Sequence, residues 1–367
     1  MQTSTTRPAP AIAVSHMDRS SRVGVAIWSA LTLALILAPW WSDRSTLRLL
    51  TEVFSYICLA SLWNLLAGYA GLVSVGQQAF VGLGGYVLYA CALGLRINPL
   101  WGAPGALILS GALAVPIALV LFRLRGAYFA IGSWVIAEVF MQTAQLAPVI
   151  AGLNANLSLP AAVVKAVAAN RDTREHLLYW LFLALLIFTL GIIVALLRSR
   201  YGLALTAIRD NELAAQANGV DVNRTRLTVF VVASAATGAT GALIFLQKLS
   251  ITPVSAFAMN DWTTNVIFMT VIGGIGRVEG PIVGALLFFL LRQLLADEGS
   301  IYLILLGVVA IGVMVRAKKG LWGYFADRFG WQLFPLARHL IYLPEADARA
   351  ASKATALASA PKPGEAI

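Results

Sequence analysis

Long apolar runs alternate with short polar segments along most of the chain. Several runs approach the length of about 20 residues that a helix needs to cross the hydrocarbon core of a bilayer. None shows the strict alternation of a membrane-barrel strand, so the pattern predicts helices. The predicted spans are 23–41, 47–67, 79–95, 100–122, 127–147, 177–197, 227–247, 262–275, 281–296 and 300–315. The last three are short and interrupted by glycine, so we expect nine to ten spans.

The composition agrees with a membrane environment. Hydrophobic residues make up 59% of the 367-residue chain and charged residues only 12%, whereas a soluble domain carries about 25% charged residues. Such a chain cannot cover a water-exposed surface, and within lipid each backbone polar group has to be satisfied inside its own segment. We therefore expect an all-α membrane protein with about ten transmembrane helices.

The net charge of +10 raises the alternative of nucleic-acid binding. The Lys and Arg residues, however, occur in short clusters between apolar runs, as the positive-inside rule describes, so no nucleic-acid partner is expected. When the spans alternate across the bilayer, the densest clusters fall on one side, which predicts cytoplasmic N- and C-termini. These clusters are Arg123 with Arg125, the arginines of segment 198–226, and Arg316 with Lys318 and Lys319.

The two ends of the chain differ from its apolar middle. Residues 1–22 are rich in Thr, Ser, Pro and Arg and lack an apolar period, which predicts a disordered cytoplasmic tail. The predicted transmembrane domain covers residues 23–316. Residues 317–343 mix aromatic and charged side chains around Pro335, which suits an amphipathic segment in the membrane interface. Residues 344–367 are again predicted to be disordered.

Segment 198–226 is the most informative polar stretch, since it separates two strong spans on the predicted cytoplasmic side. Asp210 and Asn211 supply a helix start, because their side-chain oxygens can accept hydrogen bonds from free backbone amides. The predicted helix Glu212–Ala217 ends before Gly219, since glycine accepts the left-handed conformation. A short capped helix of this kind either docks into a groove of another protein or is a solvated loop helix.

Four blocks of sequence resemble the permease subunits of binding-protein-dependent ABC importers. They are most similar to the second, longer subunit type of the branched-chain amino acid permease family. The blocks are GYAGLVSVGQQAFVGLGGY (68–86), LRGAYFAIGSWVIAEVF (124–140), AIRDNELAAQANGV (207–220) and IGGIGRVEGPIVGALL (272–287). The chain departs from the family pattern in the third block, which reads ELAA in place of EAA, and at Gln78 and 277–279.

The resemblance implies a type II-like ABC importer permease of the bacterial inner membrane, which translocates branched-chain or related amino acids by alternating access. The implied partners are a second related permease subunit, two ATP-binding subunits, an extracytoplasmic substrate-binding protein and the lipid bilayer. The resemblance also makes segment 198–226 the contact with an ATP-binding subunit. The residues implied in this contact are Arg209, Asp210, Asn211, Glu212, Leu213, Ala214, Ala215 and Gly219.

The chain itself carries no constellation of catalytic residues. It lacks the GxxxxGK[ST] loop that cradles nucleotide phosphates, and its three histidines are far apart in sequence. We therefore expect no enzyme activity, cofactor or metal site in this chain. ATP and Mg would be held by the ATP-binding partners.

Two glycine-rich blocks, one in each half of the chain, are candidates for a translocation pathway. Paired glycine-interrupted segments of this kind often meet at a transport site. The alternative is tight helix packing through small residues. The pathway candidates in these blocks are Gln77, Gln78, Gly84, Gly85, Gly273 and Gly274, with Asn265 as a weaker one.

Glu138 is an isolated charge inside the fifth predicted span. A charge at mid-span costs about 2.5–3.5 kcal/mol on insertion, so its side chain should face protein or water. Trp134, Gln142 and Gln145 fall on the same helical face. Glu138 and Gln142 therefore either line the pathway or form an interhelical hydrogen bond that fixes packing.

Two further expectations concern charge and substrate. Glu52 is predicted to pair with Arg48, four residues earlier on the same helical face. The same type of importer could also carry urea or a short amide, because the separate binding protein largely sets specificity in this family. An ion-coupled secondary transporter is the other alternative, although that class usually needs a chain of ionisable groups at mid-membrane.

Overall fold

The structure is a computed structural model, and contacts divide the chain into two compact units. One unit comprises residues 1–27 and 332–367, and the other comprises residues 28–331. The structure describes residues 12–15, 19–150, 155–168, 170–294, 301–317, 319–329, 334 and 339–342.

The smaller unit contains a two-stranded antiparallel sheet. Strand β1 (Ile12–Ser15) pairs with the C-terminal strand (His339–Tyr342), and Ile12 lies opposite Tyr342. The structure therefore places strands where the sequence predicted a disordered tail and an interfacial segment. Helix α1 (Arg19–Leu37) begins four residues before the predicted start at Val23. Of the predicted tails, residues 1–11, 16–18 and 344–367 lie outside the described residues.

The larger unit is built from helices. After α1 they are α2 (Arg44–Asn64), α3 (Gln77–Tyr89), α4 (Gly102–Leu121), α5 (Ala127–Ile150), α6 (Ala161–Val167), α7 (Arg171–Arg198), α8 (Arg200–Asp210), α9 (Glu212–Ala217), α10 (Val222–Lys248), α11 (Pro253–Ala256), α12 (Asn265–Gly273), α13 (Gly280–Leu294), α14 (Ile301–Arg316) and α15 (Gly320–Phe329). A short sheet joins β2 (Leu157–Ser158) to β3 (Ser250–Ile251). The C-terminal strand is β4. Wider π-helical turns extend α2 (Leu65–Tyr69) and α3 (Ala90–Gly94) and precede α12 (Asn260–Thr264).

Each predicted span coincides with a helix whose ends differ by a few residues from the prediction. Within the described residues, four helical segments are both long enough and apolar enough to cross a membrane. They are Arg44–Tyr69, Pro99–Leu121, Arg171–Arg198 and Val222–Lys248. The helical membrane class is therefore confirmed, apart from the short strands. Ten crossings and cytoplasmic termini stay predictions.

The core of the larger unit surrounds α10, which packs against α2, α3 and α4. Small residues allow very close approach between these helices. A methyl group built on Gly84 would lie 1.9 Å from the carbonyl oxygen of Gly238, and one built on Gly238 would lie 2.0 Å from the hydroxyl oxygen of Ser110. The backbones of α3 and α10 therefore lie in direct contact, and α4 approaches α10 closely at the same residue, Gly238.

The helical bundle has two ends of different character. At one, here called the coupling end, the segment 198–226 meets the α2–α3 loop through Arg226 and Ala70, and Gly68 meets Gly276. At the other, here called the charged end, ion pairs join α2 to α7 and α13, through Arg44 with Asp172 and Glu52 with Arg292. The basic segment 198–226 therefore lies at the coupling end.

Helix α15 covers part of the segment predicted to lie in the membrane interface. It packs against α12 and α13, and a methyl group on Gly320 would lie 2.3 Å from the Cα of Gly274. Tyr324 and Phe325 remain exposed on its other side. The segment 335–338, which contains the predicted Pro335 break, lies outside the described residues.

Candidate functional site

Helix α9 has the bounds predicted from the sequence, Glu212–Ala217. Its first turn is capped by Asn211, whose side-chain oxygen accepts a hydrogen bond from the Ala214 amide at 3.0 Å. Asp210 instead ends α8 and lies 3.6 Å from the guanidinium of Arg209. The cap is therefore Asn211, and Asp210 is a neighbouring exposed charge.

Gly219 ends α9, and Ala215 forms its buried face. Gly219 has a φ of +81°, and its amide donates to the carbonyl oxygen of Gln216 at 2.9 Å. Ala215 is buried in a small apolar cluster with Ile208 of α8 and Val222 of α10. These contacts fix α9 against the two longer helices on either side of it.

The outer face of α9 presents an apolar side chain to solvent. Leu213 is 78% exposed, and its neighbour Ala214 is also exposed. A large apolar residue on a rigid, capped helix is the kind of knob that fills a groove on another protein. The predicted contact set therefore divides into exposed members, such as Leu213, and the buried Ala215, which supports them.

Glu212 holds α9 to the rest of the bundle through Arg226. The two guanidinium nitrogens of Arg226 donate to the two carboxylate oxygens of Glu212 at 3.2 and 3.0 Å. The Nε of Arg226 lies 3.4 Å from the carbonyl oxygen of Ala70, which follows the π-helical turn of α2. Paired bonds of this geometry are strong and directional. Sequence reasoning missed this link, because the partners are 14 residues apart with a loop between them.

A second polar tie at the coupling end joins α2 to the α12–α13 turn. The side-chain oxygen of Asn64 accepts from the Gly276 amide at 2.8 Å, and its nitrogen donates to the carbonyl oxygen of Arg277 at 2.8 Å. Gly276 has a φ of +80°. Gly274 lies in the same turn at a φ of +129°, and a methyl group on Gly273 would lie 1.8 Å from the carbonyl oxygen of Gly280.

The other pathway candidates of the first glycine block are also buried. Gln77 donates to the carbonyl oxygen of Leu59 at 3.0 Å, and Gln78 is hydrogen-bonded to the hydroxyl of Thr263. Gly84 faces α10, as described above, and Gly85 faces Phe245 of the same helix. Within this chain the geometry favours the packing alternative. A pathway role for Gln77, Gln78, Gly84, Gly85, Gly273 and Gly274 stays a prediction.

Glu138 lies on an open face of α5. Its carboxylate accepts a hydrogen bond from Gln142 at 3.1 Å, one turn along the same helix. The predicted interhelical bond is not found among the described residues. A groove of about 520 Å³ surrounds the pair, and its wall is formed by Trp134, Val135, Val139, Thr143, Gln145 and Leu146. The predicted polar stripe therefore exists, and it runs through a largely apolar surface.

The remaining candidate, Asn265, lies at the charged end. Its amide donates to the carbonyl oxygen of Asp261 at 3.1 Å. The predicted pair of Arg48 with Glu52 is wrong. Arg48 is bonded to Glu175 of α7, and Glu52 to Arg292 of α13 at 2.7 Å, because tertiary contacts bring stronger partners to each side chain.

Comparison with known proteins gives a consistent assignment. Residues 45–316 match the model of a family described as branched-chain amino acid transport system / permease component. The high-affinity branched-chain amino acid transport system permease proteins LivM of Salmonella typhimurium and Escherichia coli are each 26% identical over 320 residues, which cover 80% of this chain and 73% of theirs. The probable permease protein LivH of Methanocaldococcus jannaschii is 26% identical over 162 residues, or 41% of this chain and 50% of its own.

No solved structure gives a significant match to the chain. The family match, however, covers about three quarters of the sequence, from the start of α2 to the end of α14. It includes all four sequence blocks, the capped helix α9 and the glycine turn to which Asn64 is bonded. The chain therefore belongs to the family of branched-chain amino acid transport system permease components.

Proposed function

We propose that this chain is the membrane-spanning permease subunit of an ATP-driven importer that carries branched-chain or related amino acids across the bacterial inner membrane. The observation that carries the proposal is the capped helix α9, which presents Leu213 outward and is fixed to α2 through Glu212 and Arg226. The substrate class is supported by the related LivM proteins, which are permeases of branched-chain amino acid transport systems.

In this mechanism, ATP and Mg are held by two partner subunits, one of which receives α9 in a surface groove. Closure of the partners on ATP displaces α9. The displacement reaches α2 by way of Arg226, because its guanidinium bridges the Glu212 carboxylate and the Ala70 carbonyl. It reaches the α12–α13 turn by way of Asn64. These connections support alternating access, in which motion at the coupling end changes the exposure of the substrate path.

A second, related permease subunit completes the path. The open face of α5 supports this part of the proposal, because a face with exposed Trp134, Val139 and Leu146 needs a protein or lipid neighbour. Glu138 and Gln142 place polar groups in the middle of that face, where a partner permease would enclose them beside the substrate. An extracytoplasmic binding protein would deliver the amino acid at the charged end.

The test is a pull-down from detergent-solubilised native membranes, with an ATPase assay of the eluate. We compare the wild type with Leu213→Asp, which changes an exposed residue of α9 and leaves the core intact. Val254→Asp is the control, since Val254 is 66% exposed on short helix α11 at the charged end. The proposal expects an ATP-binding subunit with the wild type and the control, and at least about a tenfold loss with Leu213→Asp.

The opposite pattern would overturn the proposal. If no ATP-binding subunit elutes with the wild type and no ATPase activity follows it, the importer assignment fails. If the subunit elutes equally with Leu213→Asp, α9 is not its docking element.

A further inference from the structure

A cleft at the charged end has the chemistry of an amino-acid site. Its volume is about 1140 Å³, and it lies among the ends of α2, α7, α10 and α13 and the π-helical turn before α12. This is the opposite end of the bundle from α9. In the proposed orientation, the cleft therefore opens toward the side from which substrate arrives.

Most charged side chains of the cleft already have partners. Arg292 donates to Glu52 at 2.7 Å, and Arg48 and Arg171 both contact the carboxylate of Glu175. These pairs form the rim and the wall of the cleft. Arg292 and Glu52 neutralise each other, whereas two arginines share the one carboxylate of Glu175, which leaves this wall of the cleft with one excess positive charge.

Of the other charged residues of the cleft, Arg44 is paired with Asp172, and the Asp43 carboxylate accepts hydrogen bonds from the hydroxyls of Ser45 and Thr46. Lys248 and Asp261 remain. Lys248 and Asp261 take part in no ion pair within 4.0 Å in the part of the chain that the structure describes. The Lys248 ammonium lies 4.7 Å from the ring centre of Trp262 and 5.6 Å from that of Phe245, and these aromatic faces stabilise its charge in place.

The position of Asp261 is fixed by its backbone and not by its side chain. Its carbonyl oxygen accepts from the Tyr56 hydroxyl at 2.9 Å and from the Asn265 amide at 3.1 Å. These bonds anchor the π-helical turn and leave the carboxylate free to bind a cation. Lys248 and Asp261 therefore offer two opposite charges from two anchored backbones in one cleft.

An apolar wall accompanies the two charges. Leu49, Ile244 and Phe288 line the same cleft, and the ring of Tyr56 stacks on that of Trp262 at 6.1 Å. A ligand that complements this lining carries a carboxylate, an ammonium and an aliphatic side chain. Those three features together describe a zwitterionic aliphatic α-amino acid.

We propose that this cleft is an entry site for such an amino acid, with Lys248 binding the α-carboxylate, Asp261 the α-ammonium, and the apolar wall the side chain. The proposal rests on the proposed function, since it names where the imported substrate first binds the permease. Lys248 and Asp261 are both exposed, so water weakens their attraction for a ligand, and we expect a dissociation constant on the order of 1 mM. Weak binding suits an entry site, because the substrate has to dissociate from it before it can cross the membrane.

The experiment measures binding of three ligands to the complete importer complex in nanodiscs, without the binding protein, by calorimetry. Leucine carries both charges, leucinamide lacks the carboxylate, and 4-methylpentanoate lacks the ammonium. The wild type is expected to bind leucine at least about tenfold more tightly than either analogue. Lys248→Met should abolish the preference for leucine over leucinamide, and Asp261→Asn the preference for leucine over 4-methylpentanoate.

Arg224→Gln is the control. Arg224 is paired with Asp221 on the surface of the coupling end, so this substitution removes a positive charge far from the cleft. It should keep both preferences. The proposal is overturned if the wild type does not bind leucine, or if Lys248→Met and Asp261→Asn keep the preferences of the wild type.

ATP-dependent uptake of leucine with the binding protein present separates the two proposals. If the wild-type complex imports leucine while both variants keep wild-type ligand preferences, the cleft proposal fails and the importer stands. If the wild type imports no amino acid, the importer assignment fails, whatever the cleft binds.

Discussion

Glu212 and Arg226 form a two-point ion pair, with nitrogen–oxygen distances of 3.2 and 3.0 Å, that fixes α9 to the first turns of α10. Arg226 is only 21% exposed in its side chain, and it also reaches the Ala70 carbonyl. One side chain thus connects α9 to the end of α2.

Breaking this pair should uncouple ATP hydrolysis from transport. We expect Glu212→Gln to retain the ATP-binding subunit, because Leu213 is unchanged, but to lower transport about tenfold, since a charge-assisted bond contributes about 1.5–3 kcal/mol. A double-mutant cycle with Arg226→Gln, in which uptake into proteoliposomes is measured for both single variants and the double variant, gives the interaction energy between Glu212 and Arg226. Arg224→Gln is the matched control, because that arginine is 87% exposed and its pair with Asp221 should contribute little. Additive effects in the cycle would contradict the link.

Gly84→Ala should destabilise the helical bundle. The new methyl group would lie 1.9 Å from the Gly238 carbonyl, so α3 and α10 have to separate, at a cost of about 1–3 kcal/mol. Thermal unfolding in detergent measures the change. Gly191→Ala in α7 is the control, since no atom lies within 4 Å of the added carbon, and it should be neutral or slightly stabilising. Equal midpoints for the two variants would show that the close contact does not exist.

Asn64→Asp should weaken the tie between α2 and the α12–α13 turn. The aspartate keeps an acceptor for the Gly276 amide but loses the donor to the Arg277 carbonyl, and the buried site disfavours its charge. We expect a loss of about 1–3 kcal/mol in unfolding free energy, measured by denaturant titration in detergent. Asn170→Asp, the same change at an exposed residue whose side chain makes no cap hydrogen bond, should change stability far less. If Asn64→Asp has the unfolding free energy of the wild type, the hydrogen bonds of Asn64 do not stabilise the fold.

Glu138→Gln should lower transport without lowering stability. The residue faces an open groove and its carboxylate contacts only Gln142 of its own helix among the described residues, so its neutral isostere fits the same space. We expect about a tenfold slower uptake in proteoliposomes with an unchanged melting midpoint. Thr143→Val on the same groove is the control, because its hydroxyl is bonded to the backbone carbonyl of Val139. Normal uptake by Glu138→Gln would exclude a required charge on this face.

The helices could be predicted from the sequence because a membrane helix is determined by a local apolar run. The bounds of α9 were also predictable, since Asn211 and Gly219 act within one turn of the backbone. The ion pairs could not be, because they depend on tertiary contacts. Arg48 was expected to pair four residues along its helix, yet its partner Glu175 is 127 residues away, and the partner of Glu52 is 240 residues away. The cleft could not be predicted either, because its lining residues come from helices that are far apart in sequence.

The glycine contacts around α10 restrict how the protein can move. The backbone of α3 lies against α10 at Gly84 and Gly238, and the hydroxyl of Ser110 in α4 lies against Gly238, so no space is left between these three helices for a larger side chain. We expect them to move as one packed unit during any change of shape. Relative motion is therefore left to elements that side-chain bonds join to that unit, above all α9, which is held by the ion pair of Glu212 with Arg226.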